Sequence, residues 1–164
     1  AITSGYFPLG ATMINDRIAD AFEADSSGTA AIGHGYTYSG HPVGAAAALA
    51  ALAETRRLDV VGNAAARGTQ LFDGMRALAD QYEMIGDVRG GHGLMAAMEL
   101  VSDRDTKAPV DGKLAIKVQK TAYEAGALIR VSGPNMIISP SLIIDEADID
   151  TVLSAIEAGV KAAS

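Results

Sequence analysis

"MIGDVRGGHGLMAAMEL", residues 84–100, is the stretch on which the choice of fold turns. Gly91, Gly93 and Ala96 match G-x-G-x-x-A, the formal fingerprint of a dinucleotide-binding turn, which requires a strand before it and a helix after it. The same residues also read as two short apolar runs bounded by glycine, a strand pair around "GGHG", although the second run tolerates a helical reading. The downstream residues tip the balance. "SDRD" begins at Ser102, leaving little room for the crossover helix that a dinucleotide fold needs. A hairpin is the expectation, and a dinucleotide-binding domain the rival.

On the N-terminal side, Val61, Ala64, Gly68, Leu71, Phe72, Met75 and Leu78 recur at steps of three and four, the period of a helix with one apolar face. That face needs a partner, expected to be the preceding helix folded back through "LDV" (58–60). On the C-terminal side, a polar loop over 101–112 leads to a helix over Lys113 to Ala125. "ALIRV" (127–131) and "NMIIS" (135–139) read as a strand pair joined by "SGP". Asp145 with Asp148 imitates a capping box before a last helix whose face is Ile149, Val152, Leu153, Ile156 and Val160. Strands with helices to one side predict an α+β domain over residues 59–164.

Residues 1–58 read differently. A short amphipathic helix from Ile18 to Asp25 is broken by "DSSGT", and Pro42 sits in the first turn of a second helix that runs through Ala53. Arg56 and Arg57 place positive charge at its negative end. "AITSGYFPLGATMI" reads as the apolar interior of something larger, and the chain opens at Ala1 without an initiator Met. The segment is expected to be the end of a neighbouring domain plus a connecting helix.

Twenty acidic against thirteen basic residues give a net charge of −7, which argues against a broad nucleic-acid surface. There are no cysteines, hence neither disulfides nor thiolate metal sites, and the expected location is cytoplasmic. No apolar run approaches the roughly 18 residues that suggest a membrane span, so no membrane role is expected. With 49% hydrophobic and 20% charged residues the chain is too apolar to be disordered.

"HGYTYSGHPVGAAAALA" (34–50) raises the chemical question. A helix start carries unpaired N–H groups and partial positive charge, so Thr37 or Ser39 just ahead of it completes a small anion cup. Alternatively Ser39 is a plain N-cap. His34 and His41 lie seven apart, but the glycines and Pro42 between and beside them break any continuous helix, and no third ligand is near; no metal is expected. Arg130, entering "VSGP", either snorkels to solvent or offers its planar fork to a carboxylate.

Together these stretches resemble the class III aminotransferases, the pyridoxal 5'-phosphate enzymes that include the ω-amino acid:pyruvate transaminases. "ITSGYFPLGA" (2–11) looks like the segment after the cofactor lysine, residues 34–50 like the phosphate turn and its helix, and "DVRGGHGLMAAMEL" (87–100) like the opening of the C-terminal domain. "ALIRVSGPNMIISPSLIIDEADID" (127–150) looks like the closing strand pair and last helix, with Ser141 departing from the usual double proline.

The resemblance implies an α/β fold of PLP fold type I overall, with residues 1–58 ending the large domain and 59–164 forming an α+β C-terminal small domain. It implies that Thr37, with Tyr36 beside it, holds the cofactor phosphate across a homodimer or tetramer interface, in the partner's site. It makes Arg130 the arginine that grips the carboxylate of a keto acid or amino acid. The Schiff-base lysine is expected immediately before Ala1, in an N-terminal remainder of the same polypeptide, so no catalytic residue is expected within this chain. The implied reaction moves an amino group from an ω-amino acid or amine to pyruvate or another α-keto acid. Within the family, aminomutases and decarboxylases remain alternatives; outside it, a non-catalytic dimerisation fragment.

Overall fold

The computed structural model describes residues 2–30 and 33–163, so Ala1 and the lysine expected before it lie outside the described residues. The chain divides into two compact units, Ala1–Leu58 and Asp59–Ser164.

The first unit holds two helices, α1 (Asp16–Glu23) and α2 (Pro42–Arg57). Asn15 caps α1 by accepting from the Ile18 amide at 3.1 Å. In α2 the alanine run supplies helix propensity, Pro42 occupies the first turn, and Arg56 and Arg57 lie in the last. Among its described residues only Thr3, Gly44 and Ala48 are buried. In the apolar opening segment Tyr6 and Met13 are 87% and 95% exposed.

The second unit is an α+β domain. A 22-residue helix, α3 (Val60–Gln81), precedes the antiparallel hairpin β1 (Ile85–Arg89) and β2 (Ala96–Asp103). The short β3 (Ala108–Pro109), α4 (Gly112–Glu124), the hairpin β4 (Arg130–Ser132) and β5 (Asn135–Ile138), and α5 (Glu146–Ala163) follow. The sheet order is β1-β2-β5-β4, all antiparallel, with β3 beside the end of β2.

The reading of residues 84–100 is thereby settled as strand, turn, strand. No helix begins near Gly93, and this overturns the dinucleotide-binding alternative. Gly90, Gly91 and Gly93 take φ of +147°, +88° and +76°, left-handed geometry that serves the turn. Alternate residues of β2 and β5, among them Ala96, Met98, Leu100, Met136 and Ile138, point into the core, where Leu71 and Met75 of α3, Val118 of α4 and Ile156 of α5 meet them. The apolar face of α3 is covered inside its own unit, by α5 and the hairpin. The opposite sheet face carries charge.

Candidate functional site

Tyr36 and Thr37 lie in one turn of the first unit, ahead of α2; Arg130 lies in the second unit, at the start of β4. The turn is built by its own polar groups. The Ser39 amide donates to the Tyr36 carbonyl at 2.9 Å, and the Tyr36 amide donates to Ser39 Oγ at 3.0 Å. Gly40 follows with φ +68°. Ser39 is therefore occupied within the turn, and it is not the N-cap of α2.

That position belongs to His41, whose Nδ1 accepts from the Val43 amide at 3.2 Å. The imidazole is held on both sides, by Phe7 at 5.4 Å between ring centroids and by Tyr38, edge-on, at 5.5 Å. Gly44 lets Phe7 approach, for a Cβ there would lie 2.8 Å from the ring. His34 Nδ1 stands 3.4 Å from the Tyr36 hydroxyl. Both histidines thus have local structural partners.

The consequence falls on Thr37. Its neighbours in the turn close on one another, whereas its own hydroxyl engages nothing among the described residues and is exposed. A free O–H just ahead of a 16-residue helix is a donor available to an anion, and the helix dipole favours negative charge there. A phosphate group fits these residues: Thr37 Oγ1 would donate to one of its oxygens.

Arg130 pairs with Ile137 across the β4–β5 ladder and is exposed, with no hydrogen bond or ion pair among the described residues. A second arginine on the same sheet, Arg89, lies within the quoted stretch 84–100, where the sequence attaches no role to it. It donates through Nη1 to Asp87 at 2.7 Å and Glu99 at 2.8 Å, and through Nη2 to Asn135. The alternation Asp87-x-Arg89 on an expected strand, with Glu99 on the next, was a legible sign of a same-face charge cluster. Asn135, 46 residues on from Arg89, was not. Ser141 lies in the turn beyond β5, its carbonyl accepting from the Ile144 amide at 3.0 Å.

The family Aminotransferase class-III matches residues 1–160. The chain is 35% identical over 164 residues to an uncharacterised aminotransferase of Sinorhizobium fredii, covering 98% of this chain and 35% of that protein. It is 34% identical to the taurine–pyruvate aminotransferase of Bilophila wadsworthia, covering 95% of this chain and 36% of that one. Among solved structures, an amine transaminase from an uncultivated Pseudomonas species, in its PLP-bound form, superposes with a TM-score of 0.89 at 43% identity, over 99% of this chain and 37% of that one. The chain belongs to the class III aminotransferases. It spans about a third of the length of the relatives it matches.

Proposed function

We propose that this chain is the C-terminal part of a PLP-dependent aminotransferase that moves an amino group from an ω-amino acid or amine to pyruvate or another α-keto acid. The observation that carries the reading is the exposed, unengaged hydroxyl of Thr37 at the start of α2. The flanking side chains His34, Tyr36, Ser39 and His41 all have local partners. The name of the Bilophila relative pairs an amine donor with pyruvate. The rest of the polypeptide would supply the Schiff-base lysine and most of the substrate pocket.

In this reading Thr37 Oγ1 donates to an oxygen of the cofactor phosphate, with Tyr36 beside it, and does so in the site of a second subunit. Around the turn, Tyr36, Tyr38 and Leu49 are 73%, 76% and 70% exposed, apolar surface that the rest of the polypeptide or a second subunit would cover. When bound, pyridoxal phosphate supplies the electron-withdrawing ring that loosens the substrate's C–H bond. Arg130 would contribute recognition. Its planar fork donates to a carboxylate in bidentate fashion, and its lack of a partner among the described residues lets the side chain turn aside for an amine without one. A cytoplasmic enzyme is part of the same proposal.

Cofactor retention tests it. In the full-length polypeptide, Thr37→Ala removes one hydrogen bond to a charged group, about 1.5–3 kcal/mol, and is expected to weaken pyridoxal phosphate binding by about ten- to a hundredfold. Equilibrium dialysis followed by visible absorbance reads the loss. Unchanged affinity would overturn the assignment of Thr37.

A further inference from the structure

The outward face of the β1-β2-β5-β4 sheet carries two rows of side chains. Paired residues project to the same side, so Asp87, Glu99, Asn135 and Ser132 form one row and Arg89, Ala97, Ile137 and Arg130 the next. Two acids and two arginines share the face, yet their pairing is lopsided. Both carboxylates and Asn135 go to Arg89. Those bonds, first that to Glu99 and then that to Asp87, raise the pKa of the Arg89 guanidinium further above its ordinary range. Asn135 in turn donates through Nδ2 to the Ser132 carbonyl at 3.3 Å, which ties the network to the strand that Arg130 opens. Arg130 is left unpaired among the described residues.

We infer that Arg89 is a positioning residue for Arg130: by gathering Asp87 and Glu99 onto its own fork, it keeps the Arg130 guanidinium available to an incoming carboxylate. The inference rests on the carboxylate role proposed for Arg130. Its physical basis is competition. Without Arg89, two uncompensated carboxylates share a face with one long cation; Glu99 on β2 lies two strands from Arg130 on β4, the same span that Arg89 on β1 bridges to Asn135 on β5, and opposite charges attract across it. Arg130 would then turn toward Glu99, and the residual negative charge would repel an anionic substrate. A lysine at position 89 would not serve equally, because an ammonium is a point charge without the guanidinium's rigid fork for three acceptors on three strands.

The test uses the full-length holoenzyme, with pyruvate as acceptor and isopropylamine as a donor that has no carboxylate. Arg130→Met comes first and is expected to raise the pyruvate KM by more than about tenfold, with the isopropylamine KM unchanged. Arg89→Met is expected to raise the pyruvate KM about three- to fivefold, the scale of exposed charge coupling, with kcat and the isopropylamine KM held. The triple variant R89M/D87N/E99Q removes the competing charges and is expected to return the pyruvate KM to that of the unsubstituted enzyme. Simple loss of packing would not be repaired by neutralising carboxylates. Should Arg89→Met fail to fold, Arg89→Lys and the triple variant give the same comparison, with Arg89→Lys expected to raise the pyruvate KM and the triple to match the unsubstituted enzyme. An unchanged pyruvate KM in Arg89→Met, or no recovery in the triple, overturns the inference while leaving Arg130's role intact. An unchanged KM in Arg130→Met overturns both.

Discussion

Asp25 shows how much one side chain organises among its immediate neighbours. It receives hydrogen bonds from the Ser27 hydroxyl and from the Ala30 and Ser27 amides, in that order of effect, and these hold its carboxyl at about 2, below the ordinary 3.8. The loop after α1 closes on that anion. Because the folded value lies below the unfolded one, the stabilisation is complete above about pH 3.8 and is lost as pH falls through about 2. An NMR titration of the Asp25 carboxyl is expected to show its midpoint near 2; a midpoint at 3.8 would mean these bonds do not form in solution. Thr37 illustrates the opposite situation. Its neighbours Ser39 and His41 commit their polar atoms to the turn and the helix cap, while the Thr37 hydroxyl stays available. The spacing of hydroxyls in "YTYSG" offered Thr37 and Ser39 equally, and only the local hydrogen bonds separate them.

Between elements, the second unit depends on close helix contact. Gly159 in α5 sits against the backbone of α4, and a Cβ built there would lie 2.5 Å from the Val118 carbonyl oxygen. Backbone cannot move aside as a side-chain tip can. Gly159→Ala is therefore expected to destabilise the domain by about 1–3 kcal/mol, despite alanine's better helix propensity. A lowered midpoint of urea unfolding with unchanged slope would register it; a stabilised variant would show that α4 and α5 are farther apart. The ends of elements follow the same logic. Asp111, Asp145 and Asn15 accept from amides near the starts of α4, α5 and α1, and such short-range caps are readable in sequence. Strand limits were less so: the run expected to end at Leu100 continues to Asp103, because β3 provides a partner from within the segment that reads as a loop.

For the assembled molecule, the proposal that Thr37 serves a neighbouring subunit makes a prediction that no single-chain property can mimic. If Thr37 acts in the partner's site while Arg130 acts in its own, a hybrid of one Thr37→Ala subunit and one Arg130→Met subunit contains one site with neither defect. Co-expressed hybrids carrying two different affinity tags are expected to recover about half the activity of the unsubstituted enzyme, reflecting that one intact site of two. Activity no higher than that of either parent would place both residues in the same site.

Short-range physics made part of this protein legible in the sequence: the apolar period of α3, the glycine turn between β1 and β2, and the cap of α5. Each depends on residues a few positions apart, where periodicity and backbone sterics leave few choices. Nothing in the linear order, by contrast, says that β5 lies between β2 and β4, or that Asn135 thereby reaches Arg89; the folded chain settles both. Folding likewise places the Arg104 guanidinium on the carbonyls of Ala79 and Ile85 and the α3 face against α5. Strand order and helix docking are set by which apolar faces fill one common core, and residues far apart in the chain become neighbours only once that core is closed.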